Sequence, residues 1–87
     1  MKLSWSDDAW EDCLSFQTEN KQAFSRVNKL IKDIKRSPFV GLGKPELLKY
    51  NLSSLWSRRI TDEHRLVYRV LENEIEIVEC KNHYERF

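Results

Sequence analysis

Hydrophobic side chains in residues 20–36 recur every three or four positions, the spacing that places them on one face of an α-helix. This stripe consists of Phe24, Val27, Leu30, Ile31 and Ile34. Asn20 is suited to cap the start of the helix, and the pair Ser37-Pro38 is expected to end it. We therefore predict an amphipathic helix that buries its apolar face in the core.

A shorter stripe precedes this helix and contains Trp10, Cys13 and Leu14. Ser6 is placed to cap its start, and two aspartates follow in the first turn, where the helix dipole favours negative charge. This pattern predicts a first helix that ends near Glu19 and packs antiparallel to the second. Residues 1–5 read as a short strand.

The second half of the chain changes to the two-residue period of strands. We predict strands over residues 55–61, 64–71 and 74–82, joined by two-residue polar turns. Residues 46–54 are predicted as a mixed segment with a turn near its end. The middle strand should direct one set of side chains to the core (Leu66, Tyr68, Val70) and the other set away from it (Arg65, Val67, Arg69). In the last strand, Val78 and Cys80 are expected to alternate with Ile77 and Glu79.

The predicted order is β-α-α-β-β-β, an α+β fold in a single domain that covers residues 1–87. Two N-terminal helices should pack on one face of a small, mostly antiparallel sheet, and the other face is left for a ligand. No apolar run approaches the roughly 18 residues that span a membrane, and the first residues lack the apolar stretch of a signal peptide. We expect a cytoplasmic protein in which Cys13 and Cys80 are buried, reduced thiols.

Charge is distributed unevenly although the net charge is only +1. Residues 21–40 carry six basic side chains and one acidic side chain, whereas the ends of the chain are acidic. A localised basic surface is compatible with RNA binding, but for residues 21–40 alone we favour a solvated helix face.

The predicted hairpin around residues 56–68 contains three arginines and a histidine within eight positions, from Arg58 to Arg65. Guanidinium groups are always charged and offer a fork of donors that matches phosphate. An arginine in a hairpin can instead cover apolar area with its stem, and we expect this structural role for Arg58. His64, at a strand start, is expected to cap or pack.

RNA cleavage without a metal needs a base for the 2′-hydroxyl, an acid for the departing 5′-oxygen and a cation for the phosphate. Glu46 is a candidate base and His83 a candidate acid. Further candidates for phosphate or base contacts are Arg59, Arg65, Lys49 and Tyr84. Taken singly, a glutamate such as Glu46 is usually a surface charge and a histidine such as His83 is usually solvated, while Tyr84 could close the edge of the core. Spacing alone does not bring these residues together.

The chain resembles the YoeB/Txe toxins of the RelE/ParE toxin superfamily over residues 1–84. The resemblance rests on Trp5-Ser6, Asn28-Lys29-Leu30-Ile31-Lys32-Asp33, Ser37-Pro38-Phe39, Gly41-x-Gly43-Lys44-Pro45-Glu46-x-Leu48-Lys49, Asn51-Leu52-Ser53, residues 56–68 and His83-Tyr84. It implies the RelE-like microbial RNase fold and a toxin that enters the ribosomal A site and cuts mRNA without a metal or other cofactor.

The same resemblance implies roles for the matching positions. Glu46 looks like the general base, His83 like the general acid and Arg65 like the group that stabilises the transition-state phosphate. Lys49, Arg59 and Tyr84 look like residues that bind phosphate or position the nucleotide. The implied partners are mRNA with the ribosome, a YefM/Axe-type antitoxin, operator DNA through the antitoxin complex only, and a second copy of the chain in a homodimer.

Two other functions stay open on the same fold. One is a ParE-like toxin that binds DNA gyrase and does not cut RNA, and the other is an inactive relative that only binds antitoxin. The sequence also departs from the family pattern at three places: Tyr50 replaces a common histidine, Ser54 replaces a common glycine, and Glu85-Arg86-Phe87 extend the C-terminus. We assign no catalytic role to position 50.

Overall fold

The computed structural model describes residues 1–49 and 54–82, with the backbone alone at Lys49 and Asn82. It contains two helices and five strands in these regions. They are β1 (Lys2–Trp5), α1 (Asp7–Glu19), α2 (Lys21–Arg36), β2 (Glu46–Lys49), β3 (Leu55–Arg59), β4 (Arg65–Leu71) and β5 (Glu74–Asn82). The predicted α+β class and the helical bounds are confirmed.

Both helices begin at the residues that the sequence marks as caps. The hydroxyl of Ser6 accepts a hydrogen bond from the backbone N–H of Ala9 at 3.0 Å, and the Asn20 side chain does the same for Ala23 at 3.0 Å. Each cap satisfies an amide that has no partner within its own helix. Asn20 is therefore the single residue between the two helices, and it caps the end of α1 and the start of α2.

The five strands form one sheet in the order β1-β5-β4-β3-β2. Neighbouring strands are antiparallel except β1 and β5, which pair in parallel with Lys2 opposite Glu74. The sheet is thus mostly antiparallel, as predicted. The chain's first and last described strands lie side by side at one end of it.

One strand was not predicted. Residues 46–49 form β2 at the sheet edge, where Glu46 lies opposite Ser57 and Leu47 opposite Trp56. The pairing shifts by a residue between Leu47 and Lys49. Because Leu47 and Leu48 are adjacent apolar residues, the segment lacks the alternation by which an isolated strand is recognised.

The core lies between the helices and one face of the sheet. It is formed by buried residues from every layer: Ala9, Cys13, Phe16, Ala23, Val27, Leu30, Ile31, Ile34, Ile60, Leu66, Tyr68, Ile75, Ile77 and Cys80. Cys13 and Cys80 are free thiols, and burial raises the pKa of both. The stripe expected for α2 and the core-facing side of the middle strand are both confirmed. The stripe expected for α1 was wrong in two of its three residues, because Trp10 and Leu14 are exposed and only Cys13 is buried.

Two predicted details of the strands were wrong. Ile77 and Cys80 share the core, because the β4–β5 pairing shifts between Val67 and Tyr68 and so changes the phase of alternation. The strand predicted over residues 55–61 ends at Arg59. Beyond it the Thr61 hydroxyl accepts from the backbone N–H groups of Glu63 and His64, at 3.1 Å each, and forms the turn. The His64 ring packs on Phe16, with ring centroids 5.5 Å apart.

Among the described residues, no helix is long and apolar enough to cross a membrane.

Candidate active site

Cross-strand pairing brings three of the predicted site residues to one face of the sheet. Glu46 lies opposite Ser57, Ser57 lies opposite Val67, and Arg59 lies opposite Arg65. Directly opposed residues project to the same side of an antiparallel pair, and alternation directs Leu66 and Tyr68 to the other side. We call the side without helices the outer face. It holds a carboxylate and two guanidinium groups on three adjacent strands.

The two arginines of the outer face are direct neighbours. Arg59 is exposed on β3 and Arg65 is half-buried on β4, at paired positions. The opposed positions bring two positively charged guanidinium groups close together on one surface. The pair therefore forms a surface suited to a phosphate group.

Arg65 is held in place by a residue that the sequence analysis did not single out. Its Nη1 donates a hydrogen bond of 3.1 Å to the hydroxyl oxygen of Ser57. Ser57 is completely buried, as is Val67 beside it, so the face predicted to be left for a ligand is not accessible at these two positions. Strand alternation could have identified Ser57, because it lies two residues before Arg59 on the same strand.

Glu46 begins β2 and is half-buried. Its Oε1 atom is buried and has no hydrogen-bond partner within the described parts of the chain. A buried carboxylate oxygen without a donor is uncommon, because desolvation is not offset by a hydrogen bond. The hydrogen-bonding capacity of this oxygen is therefore unmet within the described residues.

The loop that leads to Glu46 is held in place by the buried side chain of Arg58. Its Nη2 donates to the carbonyl oxygens of Ser37 at 2.6 Å and Val40 at 2.9 Å, and its Nη1 donates to that of Leu42 at 3.1 Å. Nη1 also forms an ion pair of 2.6 Å with Asp33 Oδ2. Arg58 has no solvent exposure, which agrees with the structural role expected for it.

Other contacts also hold this loop in place. The backbone N–H of Leu42 donates to Asp33 Oδ2 at 3.0 Å, and that of Arg59 donates to the carbonyl oxygen of Gly43 at 2.7 Å. Gly41 has a φ of +120°, and a Cβ there would lie 2.1 Å from Asp33 Oδ2. These contacts define where β2, and with it Glu46, joins the sheet.

The remaining predicted residues are described only in part or not at all. Lys49 is described by its backbone, which pairs with Leu55. His83 and Tyr84 lie outside the described residues, as do Tyr50 and the extension at 85–87. The described part of β5 ends at Asn82, whose partner on β4 is Arg65. Within residues 1–49 and 54–82, no group of three or more His, Cys, Asp or Glu side chains could hold a metal ion.

Known proteins resemble this chain over nearly its whole length. Toxin YoeB of Escherichia coli strain K12 is 54% identical over 84 residues, which is 97% of this chain and 100% of that protein. The structure of the YoeB dimer from Staphylococcus aureus superimposes with a TM-score of 0.89 at 46% identity, covering 97% of this chain and 98% of that one.

A second structure from Staphylococcus aureus, a heterotetrameric complex of the YoeB-YefM toxin-antitoxin, has a TM-score of 0.84 at 46% identity, with coverage of 97% and 98%. The sequence model of the YoeB-like toxins of bacterial type II toxin-antitoxin systems matches residues 5–84. These findings confirm the resemblance read from the sequence motifs. The chain is therefore a member of the YoeB toxin family, with its RelE-like fold.

Proposed function

We propose that this toxin is an endoribonuclease that cuts mRNA in the ribosomal A site by metal-independent acid-base catalysis. The observation that carries the proposal is the outer face, where Glu46 with its buried, unpartnered oxygen shares one sheet surface with Arg59 and Arg65. A base and two phosphate-binding cations on rigid strands are what attack by a 2′-hydroxyl requires of the protein.

In this mechanism Glu46 takes the proton of the 2′-hydroxyl, whose oxygen attacks the adjacent phosphorus. The bond from phosphorus to the 5′-oxygen breaks, and His83 supplies a proton to that oxygen. The products are a 2′,3′-cyclic phosphate and a 5′-hydroxyl, and no water is consumed in this step. His83 lies outside the described residues, and its proposed role as the acid follows from the family resemblance.

Arg65 stabilises the negative charge that accumulates on the phosphate in the transition state. Its hydrogen bond to the buried Ser57 hydroxyl supports this role, because a guanidinium held in place needs less reorganisation when charge develops. Arg59 binds a phosphate beside it, and Lys49 and Tyr84 position the nucleotide.

The partners proposed for the chain follow those of its relatives. The Staphylococcus aureus structures are a YoeB dimer and a YoeB-YefM complex. We propose that this chain forms a homodimer, is neutralised by a YefM-type antitoxin in the cytoplasm, and reaches operator DNA only through the antitoxin complex.

Primer extension on a defined mRNA, with and without ribosomes, tests the proposal. We expect a cut that appears only when ribosomes are present and that is absent with the variants Arg65→Ala and His83→Ala. Cutting of equal strength without ribosomes would contradict the ribosome dependence. Intact mRNA together with DNA breaks in cells that express the toxin would instead indicate a gyrase-binding toxin.

A further inference from the structure

The basic residues of α2 lie on the side of the molecule away from the outer face, so the proposed cleavage chemistry does not use them. Lys21, Lys29, Lys32, Lys35 and Arg36 are all exposed. The only acidic residue of α2 is Asp33, which is buried. This distribution leaves a helix surface with uncompensated positive charge.

Part of this surface is a cleft between α2 and the loop before β2. Its volume is about 210 Å³, and it is lined by Lys29, Lys32, Asp33, Arg36 and Leu42. We call it the α2 cleft. The volume is below the roughly 300 Å³ of a typical small-molecule pocket, so the cleft fits a phosphate group better than a whole nucleotide.

The negative charge of Asp33 does not cancel the positive charge of the α2 cleft. Its Oδ2 is paired with the buried Arg58 at 2.6 Å, and its Oδ1 with Arg36 at 2.9 Å. Lys29 and Lys32 have no ion-pair partner among the residues that the structure describes. Two lysines and the outer part of the Arg36 guanidinium are thus available to an anion.

The three cations follow one face of the helix. Their positions, three and four residues apart, cover roughly 10 Å along the axis at 1.5 Å per residue. The charges of one strand of a nucleic-acid duplex recur about every 3.4 Å along its axis, so a backbone can contact several of these groups at once.

We propose that the α2 cleft binds the phosphate backbone of folded RNA, at a site separate from the outer face. The inference rests on the proposed function only in its choice of RNA as the ligand. A site on the helical side would hold one RNA segment while the outer face holds another, as a nuclease that works on RNA within a larger RNA assembly requires.

The test measures binding of a fluorescein-labelled RNA hairpin by fluorescence anisotropy at several salt concentrations. All proteins carry Glu46→Gln so that the RNA stays intact. The double variant Lys29→Gln/Lys32→Gln is compared with Lys21→Gln/Lys35→Gln, which removes the same charge from exposed positions of the same helix outside the cleft.

We expect the cleft variant to bind on the order of 10-fold more weakly at about 0.1 M salt, and its plot of log affinity against log salt to be shallower by about two units. The control variant should show a clearly smaller change in both quantities. Equal losses in the two double variants would overturn the proposal, since net charge alone would then explain binding.

A second probe, a synthetic acidic amphipathic peptide, separates RNA from protein as the occupant. Peptide binding that depends on Lys29 and Lys32, together with unchanged RNA binding, would also overturn the proposal. The anisotropy assay measures binding and needs no cleavage, so its result does not depend on the result of primer extension. The two proposals are therefore tested separately.

Discussion

Arg58 Nη1 lies 2.6 Å from Asp33 Oδ2, in an ion pair that joins the sheet to the second helix across 25 residues of sequence. The Arg58 side chain has no solvent exposure and that of Asp33 has 8%. Every hydrogen-bonding nitrogen of the guanidinium is used, since Nε also donates to the Tyr68 hydroxyl at 3.2 Å. A buried charge with this many partners is costly to disrupt on one side only.

Arg58→Leu should lower the free energy of unfolding by about 3–5 kcal/mol, because it leaves Asp33 charged and buried and three loop carbonyls without a donor. Urea denaturation followed by circular dichroism measures the change. The matched control is Arg59→Leu, at the next and exposed position, which should shift stability by only about 0.5 kcal/mol. Similar values for the two variants would show that the buried network contributes little.

Stability should also depend on pH through Asp33. The Leu42 backbone N–H, and after it the Arg58 guanidinium, lower the pKa of this carboxyl from 3.8 to about 2. A pKa that is lower in the folded state stabilises the fold above pH 3.8 and loses that contribution as the pH falls towards 2. The stability difference between the parent and Asp33→Asn should therefore shrink between about pH 4 and pH 2. Denaturation midpoints across this range measure it, and a constant difference would contradict the assignment.

Gly41→Ala should destabilise the protein through the same network. The new Cβ would lie 2.1 Å from Asp33 Oδ2, and the φ of +120° is unfavourable for any residue with a side chain. We expect a loss of at least about 2 kcal/mol, measured by the same denaturation. Val40→Ala, at the neighbouring exposed position, is the control and should change stability little. A stable Gly41→Ala protein would mean that the loop moves at low cost.

Arg65→Ala should reduce ribosome-dependent cleavage on the order of 100- to 1000-fold if this guanidinium stabilises the transition state. Arg69→Ala removes the same charge from the same face of β4, where Arg69 pairs with Glu76 at 2.6 Å, and should leave the rate nearly unchanged. Single-turnover primer extension gives both rates. Equal losses would assign the effect to the charge of the surface as a whole.

Glu46→Gln keeps the shape of the side chain and removes its ability to accept a proton. Cleavage should fall by roughly 100- to 10,000-fold, the usual contribution of a general base. Glu63→Gln, in the exposed turn between β3 and β4, is the control for loss of a carboxylate. A Glu46→Gln protein that cuts at the parent rate would remove Glu46 from the mechanism and leave Arg59 and Arg65 as a binding surface only.

Local signals were sufficient for the bounds of the helices and insufficient for the edge of the sheet. Ser6 and Asn20 act on amides three residues away, so the sequence around each cap contains all the information needed. β2 is a strand because of its pairing with β3, and neither Leu47 nor Leu48 signals that partner. The shared burial of Ile77 and Cys80 likewise depends on a register shift against β4, which the pattern of β5 alone does not contain.

The candidate site was likewise predictable only where a local sequence pattern determines it. Strand alternation was enough to separate Arg58 from Arg59 and Arg65, because neighbouring residues of a strand face opposite sides. It did not reveal that Asp33 is the partner of Arg58, or that Glu46 begins a strand directly opposite Ser57. Those relationships depend on contacts between segments far apart in the chain.

The parallel pairing of β1 with β5 has a consequence for synthesis of the protein. Lys2 and Glu74 are partners in the sheet, so β1 cannot pair until β5 has been synthesised. Contacts between such distant segments form late and slowly. A nascent chain can form its helical hairpin early, yet its sheet stays incomplete until residues 74–82 emerge. The β1 edge of the sheet therefore forms only after β5 has left the ribosome.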